Sequence, residues 1–212
     1  MLDALSLAVD YPSTELIDAW RTGHFLGVIE SALAQAGDTG DMPRAFVEQA
    51  FAELAAAMQA YMTDERTAVE VQADYVALFE LNRERPPVHL LQHLYDLQMA
   101  ATQLDLYRQL AERYRSFGIA LKQGEGARPP DQLSVQLEFI AYLYGRLAKT
   151  PTGEDAERLC QTLHDFAGTL QWIDAPIQRL AHADIQHPFY LPLLRFVRHA
   201  LDLCHTTVGD VD

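Results

Sequence analysis

Residues 129–147 read Pro129-Pro130-Asp131-Gln132-Leu133-Ser134-Val135-Gln136-Leu137-Glu138-Phe139-Ile140-Ala141-Tyr142-Leu143-Tyr144-Gly145-Arg146-Leu147. Two prolines close a loop and open a helix, where a missing N–H costs nothing. Leu133, Leu137, Ile140, Tyr144 and Leu147 then recur at helical spacing and predict a core-facing stripe. Asp131 and Glu138 are nearly two turns apart, so their carboxylates are expected within about 20° of each other on a second line of the same helix. Ser134 and Tyr142 continue that line. Such a helix has one edge for the core and one acidic edge for a basic ligand. The plainer alternative is that Asp131 serves the helix N-terminus electrostatically and Glu138 is solvated.

Outward from this helix, the chain reads as further helices. Leu2, Leu5 and Val9 predict a short first helix that stops before Tyr11-Pro12. Ser13 or Thr14 caps the next, whose apolar face begins with Leu16, Ile17 and Trp20. Gly23 breaks it, and residues 25–36 resume. Pro43 starts a helix with Phe46, Ala50, Leu54, Ala57 and Tyr61 on one side. Thr63 and Asp64 read as the cap of a helix over about 66–81, on which Asp74, Tyr75, Leu78 and Phe79 are i,i+4 neighbours in pairs. After Pro86-Pro87 a short helix is expected from Val88 to about Leu97. Leu104, Tyr107, Leu110, Ala111, Tyr114 and Phe117 mark an amphipathic helix closed by Gly118 as a C-cap. Residues 122–128 form a loop. Helices then follow over about 155–172, about 178–183, and from His187-Pro188 through Leu203. No β-alternation and no repeat period appears, so the fold class is all-α, about ten helices in one domain over residues 1–212.

Composition bounds the function. At 49% hydrophobic residues the chain is globular. Its formal charge of −14 excludes nucleic acid or an anionic membrane as the main partner and allows a cationic one. Two cysteines, Cys160 and Cys204, are too few for a disulfide framework. No signal peptide and no membrane span is read, so a soluble, reduced, cytoplasmic protein is expected.

Motifs for chemistry are mostly missing. There is no phosphate-binding glycine loop, no H-E-x-x-H and no E-x-x-H. His89 and His93 have zinc-compatible i,i+4 spacing but no nearby third ligand. Together with His164-Asp165 they support one enzymatic alternative, a metal-dependent phosphohydrolase of the HD type. No other enzyme constellation survives, and neither a catalytic residue, a metal nor a resident cofactor is expected.

Six short segments, in order along nearly the whole chain, carry a resemblance. Tyr11-Pro12 matches an "[FA]-Y-P" element. Asp74-Tyr75-Val76-Ala77-Leu78-Phe79 resembles a "Y-x-x-L-F" helix. Tyr114 to Ile119 resembles a helix end "Y-x-x-x-G-[LI]". Pro130-Asp131-Gln132-Leu133, followed by Leu137-Glu138-Phe139, is similar to "P-D-H-L … L-E-F", with Gln132 in the place of the histidine. Trp172-Ile173 and Pro188-Phe189-Tyr190 are similar to "W-[LI]" and "P-F-Y". The chain resembles the TorD/DmsD/NarJ family of molybdoenzyme maturation chaperones. Its Tyr114-Arg115-Ser116-Phe117-Gly118-Ile119 wording leans towards the branch serving type II enzymes of the dimethyl sulfoxide reductase family.

The resemblance implies a non-enzymatic chaperone with a TorD-like helical domain, a monomer or a domain-swapped dimer with 118–128 as the hinge. It implies binding to the N-terminal segment, or twin-arginine leader, of an apo molybdoenzyme catalytic subunit before molybdopterin insertion. Arginines need carboxylates and the apolar part needs an aromatic groove. The residues expected to bind the client are therefore Asp74, Asp131 and Glu138, with Tyr75, Leu78, Phe79, Tyr95 and Gln132. At least one of Leu78 and Phe79 is expected in the core. Tyr114, Gly118, Pro130, Leu133, Leu137, Phe139, Trp172, Phe189 and Tyr190 are expected to be structural.

Overall fold

The structure is a computed structural model that describes residues 1–35, 43–62, 66–80, 88–96, 102–150, 152–182 and 189–209. Among the described residues it forms ten α-helices: α1 Leu2–Ala8, α2 Thr14–Arg21, α3 His24–Gln35, α4 Pro43–Tyr61, α5 Ala68–Phe79, α6 Gln103–Ser116, α7 Leu133–Leu147, α8 Glu154–Thr169, α9 Asp174–His182 and α10 Tyr190–Gly209. Two short 3-10 turns, Gln92–Leu94 and Leu170–Ile173, complete it, and no strand is formed among the described residues. The fold is all-α, as the hydrophobic periodicity predicts.

Local chemistry sets the helix ends. Ser13 caps α2 by accepting the Leu16 N–H at 3.2 Å. Gly23, at φ +74°, lets α2 turn directly into α3. The cap of α5 is Thr67, which forms a reciprocal capping box with Glu70; Thr63 and Asp64 lie outside the described residues. Gly118, at φ +83°, ends α6 in a Schellman motif: its N–H reaches the Arg115 carbonyl and the Ile119 N–H reaches that of Tyr114. Pro192 is the third residue of α10, where its missing N–H would have had no helical partner. His187-Pro188, expected to open that helix, lies outside the described residues.

The apolar stripes form one cluster that runs from Leu2 to Cys204. α10 packs on α4 and α8, and α7 packs on α1 and α8. Phe189 and Tyr190 join α2, α4 and α5 through ring contacts with Trp20, Tyr61, Tyr75 and Phe79. Two stripes differ from expectation. On α4 the buried line is Val47, Ala50, Leu54, Met58 and Tyr61, and Phe46 is exposed. On α6 it is Leu106, Leu110 and Tyr114, and Leu104 is exposed. In each case the i,i+3,i+4 ladder is satisfied without the outlying residue.

The central helix is α7. Its first two turns are enclosed on nearly every side: Leu133, Ser134, Val135, Gln136, Leu137, Phe139 and Ile140 are all buried, and Glu138 alone reaches the surface. The buried amide of Gln136 finds a partner for both its oxygen and its nitrogen. Trp172 Nε1 donates to Gln136 Oε1 at 3.2 Å, and Gln136 Nε2 donates to Gln92 Oε1 at 2.6 Å. The segment 88–96 is not the expected helix. It runs extended against the start of α7, with a bridge between Leu91 and Gln132, before its single 3-10 turn. Leu90 accepts the Leu133 N–H at 2.9 Å, and Asp131 accepts the Gln92 N–H at 3.1 Å. The apolar residues Val88 and Leu90 are buried by this pairing and not by helix packing.

Trp172 stacks on Tyr95 at 5.9 Å between centroids and is 5% exposed. Trp172→Ala is expected to lower unfolding free energy by about 3–5 kcal/mol. Trp172→Phe keeps most of the packing but orphans Gln136 Oε1, and is expected to cost about 1–3 kcal/mol. Urea denaturation checks both; a Trp172→Ala protein as stable as the parent would contradict this packing.

Candidate functional site

The site is built where three segments distant in sequence meet. After α1 the chain turns at Asp10, whose Oδ1 accepts the Tyr11 N–H at 2.8 Å. Gln132, the residue before α7, makes no side-chain cap for its own helix. Its Nε2 donates to the same Asp10 Oδ1 at 3.3 Å. Glu138 projects from the second turn of α7. Between them lies Arg128, at the end of the loop that follows α6. Its Nη1 donates to Asp10 Oδ2 at 2.9 Å and to Glu138 Oε1 at 2.8 Å, and its Nη2 to Glu138 Oε2 at 2.7 Å. Ser134 Oγ stands 3.5 Å from Nη1.

This is a forked, charge-assisted arrangement of one guanidinium between two carboxylates. The side chains are 39%, 26% and 40% exposed for Arg128, Asp10 and Glu138, so water and partner groups reach them. Hydrogen bonding to Glu138, helped by Asp10 and opposed by partial burial, raises the guanidinium pKa above its ordinary value. Beside the cluster lies a cavity of about 380 Å³. Tyr114, Ile119, Leu121, Val135, Phe139 and Tyr142 line it, along with Lys122, Arg128 and Glu138. Phe139 and Tyr114 are buried at its floor. The combination can bind a guanidinium together with an adjoining apolar side chain. A larger, mostly apolar groove of about 850 Å³ follows the next face of α7, among Leu2, Leu33, Val47, Ala141, Tyr144 and Leu203.

The residues singled out from the sequence are dispersed over the structure. Gln132 and Glu138 are in the cluster. Tyr75 lies under it: buried, its hydroxyl donates to the Val9 carbonyl at 3.3 Å and its ring meets Tyr11 edge-on at 5.8 Å. Burial and the Asp10 charge push its phenol pKa up. Leu78 and Phe79 are both core residues. Asp74 is elsewhere, accepting from Tyr61 at 2.7 Å and from Arg66 at 2.5 Å. Tyr95 stacks between Trp172 and the Arg179 guanidinium, and its hydroxyl accepts the His89 N–H at 3.0 Å.

Asp131 departs most from its expected position. It precedes α7, so it does not share a helix line with Glu138. Its carboxylate is fully buried, with Oδ2 accepting the His93 N–H at 2.9 Å and standing 2.6 Å from His93 Nδ1. Its charge contributes to the raised phenol pKa values of Tyr107 and Tyr114, behind burial as the larger cause. Tyr114 in turn donates to the Pro130 carbonyl at 2.7 Å. Asp131 fastens segment 88–96 to the turn before α7.

The phosphohydrolase alternative is not favoured. His93 is engaged by Asp131, Asp165 accepts from Gln161 on its own helix, and among the described residues no three His, Cys, Asp or Glu side chains gather as a metal site. Sequence reasoning missed Asp10 and Arg128. Their only local signals are the Asp10-Tyr11-Pro12 turn and a basic residue before Pro129-Pro130; nothing in spacing joins positions 10, 128 and 138.

Comparison with known proteins closes the assignment. Residues 44–175, more than half the chain, match the family model described as nitrate reductase delta subunit. None of the curated proteins matches the chain. The crystal structure of a protein from Archaeoglobus fulgidus, described as a redox enzyme maturation protein, aligns over 95% of this chain and 91% of that one, with a TM-score of 0.53 and 20% identity. That likeness is one of fold. The chain belongs to the nitrate reductase delta subunit family, the NarJ- and TorD-type maturation chaperones.

Proposed function

We propose that this protein is a cytoplasmic maturation chaperone for the apo catalytic subunit of a molybdenum-containing oxidoreductase. It binds the subunit's N-terminal segment or twin-arginine leader and holds the subunit open until molybdopterin is inserted. It works as one helical domain without catalysis of its own. Family membership supports the class of client. The observation that carries the reading to residues is the Arg128 guanidinium seated between Asp10 and Glu138 beside the Tyr114–Phe139–Tyr142 cavity. A leader with arginines next to an apolar stretch presents this same pair of chemistries. The acidic total of −14 favours encounter with such a segment.

Within this reading the direct acidic contacts are Glu138 and Asp10. Gln132 positions Asp10, and Tyr75 supports the turn beneath it. Asp131 contributes at one remove, by holding segment 88–96. Leu78 and Phe79 shape the core behind Tyr75. Asp74 and Tyr95 border other parts of the surface and suit more distant portions of a long client segment.

Two tests separate these roles. A synthetic peptide with two consecutive arginines followed by apolar residues is titrated calorimetrically into the protein. Glu138→Gln, compared in an Arg128→Gln background so that no internal guanidinium competes, is expected to weaken binding about tenfold, the loss of one charge-assisted contact of roughly 1.5 kcal/mol, with the thermal melt nearly unchanged. Binding equal to that of Arg128→Gln alone would refute the assignment of Glu138. Asp131→Ala leaves two His93 donors without their acceptor and is expected to cost about 2–3 kcal/mol of stability by urea denaturation. An Asp131→Ala protein of unaltered stability that had lost the peptide would place Asp131 in direct contact after all.

A further inference from the structure

We infer that Arg128 is an internal stand-in for a client arginine. Residues 119–128 then act as a strap: in the free protein the Arg128 guanidinium fills the Asp10–Glu138 cup. It leaves when an arginine of the client enters, which opens the adjoining cavity to the apolar residues beside that arginine. This rests on the function proposed above and adds a regulatory device to it.

Three observations carry it. The first is that the cup is built without Arg128. Asp10 Oδ1 is held by the Tyr11 N–H and by Gln132 Nε2, which leaves Oδ2 for the guanidinium. Glu138 projects from the first two, otherwise buried, turns of α7. Two preset carboxylates around one site match the planar fork of arginine and not the point charge of lysine. The second is that Arg128 comes from an exposed segment with neither helix nor strand. Residues 122–128 are all solvent-exposed, and Gly124 and Gly126 adopt positive φ there. Ile119 and Leu121, half-buried, are the strap's own apolar residues, and they line the same cavity as Tyr114 and Phe139. The strap thus presents an arginine and apolar groups to the site, the pattern expected of the client. The third is exposure. The Arg128 and Glu138 side chains are about two-fifths exposed, so an incoming guanidinium can reach the cup and exchange with its equivalent there.

The test uses the peptide acetyl-Ala-Arg-Arg-Ala-Phe-Leu-amide and its Lys-Lys counterpart, titrated into the full chain. Arg128→Gln is expected to tighten the Arg-Arg peptide about tenfold. Arg128→Lys, which keeps the charge and loses the fork, is expected to fall between Arg128→Gln and the parent. Arg195→Gln, an equal charge change on the exposed face of α10, is expected to have little effect. In the parent protein, saturation with peptide should speed hydrogen exchange across 119–128. Arg128→Gln binding no tighter than the parent, or a gain matched by Arg195→Gln, overturns the strap while leaving the proposed function standing. Failure of the parent and of Arg128→Gln alike to bind either peptide overturns both. Slower exchange across 119–128 on binding also overturns the strap, because the segment would then close over the client and not yield to it.

Discussion

The start of α7 is the constraint on which the rest of the structure depends. A helix whose first two turns are enclosed cannot leave its leading N–H groups unsatisfied, because water is not there to take them. Gln132 offers no side-chain cap. The Leu90 carbonyl takes the Leu133 N–H instead, and the Asp131 carbonyl and carboxylate bind segment 88–96 in return. That exchange brings Gln92 under the helix to accept from Gln136, whose own amide oxygen accepts from Trp172, and so ties the segment to the turn that precedes α9. It also sets Gln132 facing Asp10, and with it the acidic cup.

Much of the fold was legible in the sequence because amphipathic helices advertise themselves by period. The Leu133–Leu147 stripe, the Gly118 C-cap and the Ser13 cap rest on local chemistry, and all three hold. Segment 88–96 was misread for a physical reason: its apolar residues fit helical spacing, but they are buried by pairing with another part of the chain, and period alone cannot separate the two. Asp131 was misplaced because an aspartate before a helix ordinarily faces solvent, and only a partner 38 positions away in sequence turns it inward. The cup itself was half legible. Gln132 and Glu138 follow from the motif, whereas Asp10 is 118 positions from Arg128 and belongs to the site only through the packing of α1 against α7.

On the function proposed above, the site's design follows from the different demands on its parts. Glu138 and Asp10 must be placed firmly and still meet a partner, and each is: one by a buried helix, the other by a turn and a neighbouring amide. Tyr114 and Phe139 must give a dry floor, and their burial provides it. Residues 122–128 carry no such demand and are mostly glycines and polar residues. A chaperone must release what it binds, so half-exposed ion pairs suit it better than buried ones, which are costly to break.

The most direct measurement of the central claim is photo-crosslinking in cells, with benzoylphenylalanine in place of Tyr142, an exposed member of the cavity lining. The account predicts one principal adduct, in which the probe is joined to the N-terminal segment of a molybdoenzyme catalytic subunit. The adduct should be abundant in cells unable to make molybdopterin and scarce once the cofactor is supplied. Adducts to other parts of the subunit, or to unrelated proteins irrespective of cofactor supply, would contradict it.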